Sequence, residues 1–191
     1  MDYAVVAVPA APVRRKARHQ NEMVSQLLFG EKVKILKEKG MLWVKVRSLH
    51  DGYEGWMTNT LLKETDEESA QKDDAFVTSD ILNSLSINGK KMHIPFGSSL
   101  PGFANGLGRL NDMEYSYDGN FINRSAIQPD AAKLLQLTAQ WLNAPYMWGG
   151  RTILGVDCSG FVQVNYKMMG IDLARDAWQQ AQQGRRIKKL K

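Results

Sequence analysis

The period of the hydrophobic pattern changes near Ser125, and this change limits the folds that the chain can adopt. Before Ser125, apolar residues fall in short segments with period-two alternation, such as 32–36 and 42–46, bounded by Gly, Pro or Asp-Gly turn signals. After Pro129, the apolar residues follow helical spacing instead. The sequence therefore predicts an α+β chain in which the strands come first and the helices last.

Composition indicates a globular protein. The chain has 191 residues, of which 43% are hydrophobic, and this is enough to bury a core. No run of about 18 apolar residues predicts a membrane span, and residues 1–19 place their apolar stretch before their basic one, the reverse of a secretory signal. The single cysteine cannot form an internal disulfide, which fits a reducing compartment. These features predict a cytoplasmic protein with no membrane partner.

The positive charge of the chain is concentrated at its end. The net charge is +5, but five basic residues lie within positions 185–191, and the rest of the chain is neutral. A nucleic-acid partner would require a basic face or stripe along the fold. The sequence therefore predicts no nucleic-acid partner.

The first two thirds of the chain predict two small β-domains. Residues 1–64 are expected to form a β-barrel, with Asp51-Gly52 as a hairpin-type turn before Tyr53-Glu54-Gly55-Trp56. The acidic residues 65–74 are expected to be a solvated linker with little regular structure. Residues 75–126 are so dense in turn formers that only short strands fit there.

Three helices are predicted after Pro129. Pro129 suits a first helical turn, and the helix that follows is expected to end at Ala144-Pro145. Its apolar face is formed by Leu134, Leu137, Thr138, Trp141 and Leu142. Asp157 is a good N-cap for a second, buried helix that starts at Cys158 and ends before Gly170. A short polar helix is predicted at 177–183.

The position of Cys158 suits nucleophilic chemistry. A thiol at a helix N-terminus lies beside unpaired backbone N–H groups and the positive end of the dipole, which favour the thiolate and can also hold an oxyanion. Gly149 and Gly150 would let a substrate approach closely, and Tyr146 offers a hydroxyl. The alternative from composition alone is that the cysteine is a small buried apolar residue.

Residues 129–187 resemble the NlpC family of papain-like peptidases. The resemblance is carried by Ala-Pro-Tyr146-Met-Trp-Gly-Gly, Asp157-Cys158-Ser159-Gly160-Phe161-Val162-Gln163, and Gly170-Ile-Asp-Leu-Ala-Arg175-Asp176. It implies that Cys158 is the nucleophile, that Tyr146 orders the thiol and the oxyanion, and that Asp157 and Ser159 belong to the substrate-binding wall. No metal or cofactor is implied. Residues 127–191 are then expected to be the N-terminal part of an NlpC domain.

Residues 1–64 resemble a bacterial SH3-like domain, and residues 75–126 are expected to form a second one. With the NlpC segment, this arrangement is similar to the γ-D-glutamyl-L-diamino acid endopeptidases, which recycle cell-wall peptides. That resemblance implies that Glu22, Tyr53 and Asp176 bind the free amine of an N-terminal L-alanine, because carboxylates pair well with an ammonium group. The simpler alternatives are a surface acid for Glu22, barrel packing for Tyr53 and a helix N-cap for Asp176.

The chain departs from the NlpC family in one important respect. The catalytic base of the family is a histidine downstream of the cysteine, oriented by a further polar residue, whereas His19, His50 and His93 all precede Cys158. All three are expected to be surface turn residues. Helix 158–169 is expected to expose a large apolar face. We therefore expect a truncated record or a gene fragment, with an incomplete papain-like domain.

Three functions remain open from the sequence. The first is a cysteine endopeptidase that hydrolyses the γ-D-glutamyl–diamino acid bond of cell-wall peptides through a thioester on Cys158. The second is a module that binds cell-wall peptide without cutting it, because the expected histidine is missing. The third is another papain-like acyl transfer on the same thiol.

Overall fold

The computed structural model describes residues 2–187, which form three successive regions. We call them the N-terminal sheet region (residues 3–65), the middle sheet region (residues 76–123) and the helical region (residues 131–183). The structure therefore has the mixed α and β content that the sequence predicted. Within residues 2–187, no helix combines the length and the apolar character needed to cross a membrane.

The N-terminal sheet region is one antiparallel sheet around its own core. Its strands are β1 Tyr3–Val6, β2 Ala10–Arg14, β3 Met23–Leu28, β4 Lys32–Lys39, β5 Trp43–Ser48, β6 Glu54–Thr58 and β7 Leu62–Thr65. They are hydrogen-bonded in the order β3-β2-β6-β5-β4-β1-β7. The predicted segments 32–36 and 42–46 lie at β4 and β5, and Gly52 has a φ of +72° in the turn before β6. Alternate residues such as Val44 and Val46 point into the core, as period-two patterning requires.

The acidic segment after β7 is more ordered than the sequence predicted. A short helix, α1 Glu67–Gln71, begins at the N-cap Asp66, whose carboxylate accepts from the Ser69 N–H at 2.7 Å. Tyr3 donates to Glu67 at 2.8 Å, which ties α1 to β1. The expectation of little regular structure at 65–74 was therefore wrong over these five residues, because a side-chain cap and acidic residues in the first turn stabilise a helix start.

The middle sheet region contains only short strands, as its many turn formers predicted. They are β8 Phe76–Thr78, β9 Leu82–Ile87, β10 Lys90–Pro95, β11 Leu107–Leu110, β12 Met113–Tyr117 and β13 Phe121–Asn123. Four of them pair in the order β10-β9-β12-β11, and β13 pairs with β8. Val5 and Phe29 of the N-terminal sheet region join the core of this region. The proposed domain boundaries and an SH3-like origin of residues 75–126 stay predictions.

The helical region contains three helices and a small hairpin. These elements are α2 Ala131–Ala139, β14 Arg151–Thr152, β15 Gly155–Val156, α3 Cys158–Lys167 and α4 Ala177–Gln183. α2 is shorter than predicted, because Asp130 is its N-cap and the chain leaves the helix after Ala139, with Asn143 at a φ of +66°. Leu142 therefore lies beyond the helix and is exposed rather than on its apolar face.

Neighbouring elements cover α3, so the expectation of a large exposed apolar face on residues 158–169 was wrong. Val164 and Met168 are fully buried, and Phe161 is partly buried against Trp141, with ring centroids 5.7 Å apart. The surfaces that cover α3 include residues of the two sheet regions, which the helical periodicity alone does not reveal. The large apolar side chains that are exposed in residues 131–183 lie elsewhere, at Leu135, Leu142, Tyr146, Trp148, Leu154 and Trp178.

Candidate active site

Cys158 is the first residue of α3, and its side chain is exposed. Its thiol therefore lies at the positive end of the helix dipole and is open to solvent, whereas the alternative from composition was a buried apolar cysteine. The start of α3 is fixed by its N-cap, Asp157, whose carboxylate accepts from the Gly160 N–H at 2.7 Å and the Gly149 N–H at 2.9 Å. The helix thus begins at a defined point beside the preceding glycine-rich loop.

The side chains on either side of Cys158 are turned into the protein. Asp157 forms an ion pair with the buried Arg175, at 2.6 Å between Oδ2 and Nη2, and Ser159 Oγ accepts from Arg175 Nη1 at 2.8 Å. Burial opposes ionisation of Asp157, but hydrogen bonds from Arg175 and Gly160 outweigh it and lower the pKa of this carboxyl. The polar atoms of both side chains thus have partners inside the fold, and the substrate-binding role of Asp157 and Ser159 stays a prediction.

Tyr146 lies on the loop that runs beside the start of α3. It forms a parallel bridge with Val156, and the neighbouring Met147 N–H donates to the Val156 carbonyl at 3.1 Å. Its side chain is 67% exposed. The structure thus brings Tyr146 alongside the segment that leads into Cys158, where its hydroxyl is accessible to a bound molecule.

The same loop approaches the N-terminal sheet region closely. Gly149 has a φ of +77°, and a Cβ atom there would lie 2.7 Å from the carbonyl oxygen of Met23. A side chain at this position would clash with backbone, so the loop needs glycine to lie against β3. Next to it, Trp148 Nε1 donates to Glu22 at 2.8 Å.

Glu22 is exposed, in the short connection before β3. It forms an ion pair with Arg15 at 2.7 Å, and hydrogen bonds from Arg15 hold the pKa of Glu22 below its ordinary value. Because Glu22 also accepts from Trp148, it lies where the N-terminal sheet region meets the loop before Cys158.

Tyr53 and Asp176 lie close enough to interact electrostatically. Burial, and after it the negative charge of Asp176, raise the pKa of Tyr53, so its phenol keeps its proton at neutral pH. Asp176 is the N-cap of α4, and its backbone N–H donates to Gln179 Oε1 at 3.2 Å. The N-cap alternative for Asp176 is therefore correct, and an amine-binding role for Tyr53 and Asp176 stays a prediction.

The three histidines of the chain have other neighbours than Cys158. His19 packs on Trp43 in the N-terminal sheet region, and His93 is exposed on β10. His50 lies in the turn after β5, but its side chain is only 9% exposed near the other end of α3, with Nδ1 3.3 Å from Asp172. The expectation of a surface turn residue was therefore wrong in exposure for His50 and wrong in secondary structure for His93. Burial and the nearby charge of Lys167 lower the pKa of His50 to about 4, so His50 is neutral at neutral pH. In residues 2–187, no hydrogen bond or ion pair joins a histidine to Cys158.

Sequence reasoning missed the buried ion cluster that joins the N-terminal sheet region to the helical region. Glu31 accepts from Arg151 at 2.7 and 2.9 Å and from Lys167 at 2.8 Å, and all three side chains are at most 2% exposed. Burial opposes ionisation of Glu31, but the charges of Arg151 and Lys167 hold its pKa well below the ordinary value. Gln163, in the middle of α3, also donates to Asp51 at 2.8 Å. No local sequence signal links residues so far apart along the chain.

The polar clusters of residues 2–187 do not resemble a metal centre. No group of three or more His, Cys, Asp or Glu side chains within this range is arranged to hold a metal ion. Two of the predicted site carboxylates are instead paired with cations, Asp157 with Arg175 and Glu22 with Arg15. The site therefore offers a thiol, a phenol and carboxylates as its chemical groups.

Fold and site together define a class of protein in which a sheet region packs against a helix that begins with an exposed cysteine. Residues 13–62 match the family model described as the bacterial dipeptidyl-peptidase SH3 domain, and residues 143–191 match the NlpC/P60 family. This chain therefore carries a bacterial SH3 domain followed by an NlpC/P60 domain, as the resemblance implied.

Two curated relatives and one solved structure extend these matches. The chain is 32% identical over 183 residues to a gamma-D-glutamyl-L-lysine dipeptidyl-peptidase of Bacillus subtilis, covering 87% of this chain and 60% of that protein. It is 29% identical to a protein of the same name from Bacillus cereus, covering 86% of this chain and 56% of the relative. The chain thus spans less than two thirds of these relatives.

The crystal structure of an NlpC/P60 family protein from Bacillus cereus superposes with a TM-score of 0.84. The match covers 98% of this chain and 79% of that one, at 24% sequence identity. At this identity the likeness establishes the fold, which agrees with the two family matches.

Proposed function

We propose that this chain acts as a cysteine peptidase on bacterial cell-wall peptides and hydrolyses the bond between γ-D-glutamate and a diamino acid. The observation that carries the proposal is the exposed Cys158 at the start of α3, preceded by a loop that contacts the SH3 domain through Gly149 and Trp148. The names of the two Bacillus relatives support the same substrate class.

The proposed chemistry is acyl transfer to sulfur. The Cys158 thiolate attacks the γ-carbonyl carbon of D-glutamate, and the resulting oxyanion is stabilised by N–H groups at the start of α3 and by the Tyr146 hydroxyl. Collapse of this intermediate breaks the C–N bond and forms a thioester on Cys158, and the leaving nitrogen takes a proton from water as the diamino acid is released. Water then attacks the thioester, which frees the dipeptide and restores the thiol.

The proposed specificity depends on recognition of a free amine. Glu22 and Asp176 would supply negative charge to the ammonium group of an N-terminal L-alanine, and the Tyr53 oxygen would accept a hydrogen bond from it. The low pKa of Glu22 supports this role, because its carboxylate is ionised at neutral pH. Peptides without a free N-terminal amine, such as those still attached to glycan, would then be excluded. A role in cytoplasmic recycling of cell-wall peptides follows from that exclusion and from the single cysteine.

The test is to incubate the protein with L-Ala-γ-D-Glu-L-Lys and with the matching diaminopimelate peptide. Mass spectrometry should detect released L-Ala-γ-D-Glu dipeptide, and Cys158→Ala should abolish the release. N-acetylation of the alanine removes the ammonium charge while the scissile bond stays the same, and it should slow cleavage at least about tenfold, the equivalent of one charge-assisted hydrogen bond. Equal release by the parent and Cys158→Ala would rule out the proposed nucleophile.

A second candidate is a module that binds the peptide without cutting it. The positions of His19, His50 and His93 favour this candidate, because none of them contacts Cys158 through a hydrogen bond or ion pair in residues 2–187. Titration calorimetry with L-Ala-γ-D-Glu separates the two functions. Binding by both the parent and Cys158→Ala, without dipeptide release from the longer peptides, would establish the module, whereas absence of both binding and cleavage would exclude both functions.

A further inference from the structure

A single buried side chain, Arg175, holds the residues on both sides of Cys158. Its guanidinium contacts both carboxylate oxygens of Asp157, at 2.6 and 3.1 Å, and donates to Ser159 Oγ at 2.8 Å. Arg175 is 1% exposed and Asp157 is 6% exposed, so water screens their interaction weakly. The planar guanidinium therefore fixes the first turn of α3 on either side of the thiol-bearing residue.

The same guanidinium also reaches the SH3 domain. Arg175 Nε donates to Ser25 Oγ on β3 at 2.9 Å, and Ser25 is buried. Asp157 in turn accepts from the backbone N–H groups of Gly149 and Gly160. The start of α3, the glycine loop, β3 and the segment before α4 thus meet around one buried ion pair.

We propose that Arg175 is a positioning residue for Cys158, which neutralises the carboxylate beside the thiol and locks the start of α3 against the loop and β3. The proposal rests on the nucleophilic role of Cys158 proposed above. An uncompensated carboxylate directly before Cys158 would oppose a negative charge on the sulfur. Arg175 neutralises the carboxylate of Asp157, while Asp157 continues to cap the helix. The helix therefore keeps its N-cap without an uncompensated negative charge beside the thiol.

The reactivity of Cys158 can be measured without any substrate. Cys158 is the only cysteine in the chain, so alkylation by iodoacetamide reports on this thiol alone. The charged and titratable groups placed around this end of α3 are Asp157, Arg175, Tyr146, Asp176, Tyr53, Glu22 and Arg15. The rate of alkylation against pH is recorded for the parent and for each variant, with circular dichroism as a check of folding.

Two substitutions should move the pH profile in opposite directions. Arg175→Met leaves Asp157 uncompensated, so the midpoint should move to higher pH and alkylation at pH 7 should slow by about threefold to tenfold, allowing for the exposure of the thiol. Asp157→Asn keeps an oxygen for the helix cap and leaves the cation of Arg175, so the midpoint should move to lower pH. If Arg175 had a purely structural role, the two substitutions would not shift the midpoint of the alkylation profile in opposite directions.

Lys167→Met is the matched control. Lys167 is also a buried cation paired with a carboxylate, Glu31, but it lies at the other end of α3, about 14 Å along the axis at 1.5 Å per residue. This variant should keep the parent's pH profile. A folded Arg175→Met protein with the parent's profile, or an equal change in Lys167→Met, would overturn the proposal. If Arg175→Met does not fold, the alkylation profile of Asp157→Asn tests the proposal instead. An unchanged or raised midpoint in Asp157→Asn would refute the proposal.

This experiment also separates the proposal from the proposed function. The predicted shifts in alkylation, combined with neither cleavage nor binding of peptide, would support the positioning role and exclude the peptidase. Cleavage that depends on Cys158, combined with unshifted alkylation profiles, would support the peptidase and exclude the positioning role of Arg175.

Discussion

The N-terminal sheet region and the helical region bury their cores in different ways. The core inside the N-terminal sheet region consists of residues between Ala4 and Leu62 only. The core around α3 includes Leu28 from β3 and Val77 and Phe96 from the middle sheet region. The first region can thus form its core without the other two, whereas the helical region needs surfaces that the sheet regions provide. Cys158, the candidate nucleophile, lies in the helical region, whose core depends on the sheet regions.

The two regions also differ in where their ion pairs lie. Within the N-terminal sheet region, Glu54 pairs with Lys45 and Arg47 on the surface, with side chains 33% to 51% exposed. At the junction with the helical region, Glu31 pairs with Arg151 and Lys167 in the interior. Exposed pairs add little stability, whereas a buried pair that loses one partner leaves an uncompensated charge. The junction should therefore be sensitive to single substitutions.

The largest effect is expected for Glu31→Gln. This change keeps the shape of the side chain but leaves Arg151 and Lys167 without their carboxylate, and should lower the free energy of unfolding by about 3 to 5 kcal/mol. The matched control, Glu54→Gln, should cost less than about 1 kcal/mol. Urea unfolding followed by circular dichroism measures both. Equal losses would mean that the junction is no more sensitive than the surface.

A pair of adjacent leucines tests the two cores separately. Leu27 belongs to the core of the N-terminal sheet region, while Leu28 packs into the core around α3. Each substitution to alanine removes a buried side chain and should cost about 3 kcal/mol. Hydrogen exchange should show lost protection in β4 and β5 for Leu27→Ala but in α3 for Leu28→Ala. The same protection pattern in both variants would contradict the idea of two separate cores.

Local sequence signals located most of the elements but could not reveal how they join. The N-cap Asp157 and the positive φ of Gly170 at +73° mark the ends of the α3 segment that the sequence predicted, and α4 begins at the predicted Ala177. These signals act over a few residues. The partners of Glu31 lie 120 and 136 residues away, and such pairing depends on tertiary packing rather than on any local pattern.

The same distinction explains the outcome for the candidate site. Cys158 could be located because a helix start and a motif coincide there. The inward orientation of Asp157 and Ser159 could not be predicted, because it depends on Arg175, which lies 18 and 16 residues further along the chain. The sequence therefore located Asp157 and Ser159 beside Cys158 but did not reveal their pairing with Arg175.

The smallest of the three effects is the loss of folding stability at acidic pH. His50 lies at the junction, near the charged groups Glu31, Arg151, Lys167 and Asp172. Its pKa is about 4 in the folded protein against 6.5 for the free side chain, so the unfolded chain binds the extra proton first as the pH falls. Stability from this histidine is fully present above pH 6.5 and declines as the pH drops towards 4. Between pH 6.5 and pH 5 the loss should be about 1.5 kcal/mol.

His50→Asn isolates this contribution because asparagine does not titrate. Glu31, with its lowered pKa, loses stability only below its ordinary value of 4.5, so the interval from pH 6.5 to 5 separates the two groups. Urea unfolding across this interval should give a flatter curve for His50→Asn than for the parent, while His93→Asn, exposed on β10, should follow the parent. If the parent and His50→Asn have the same slope, burial of neutral His50 does not contribute to the loss of stability in acid.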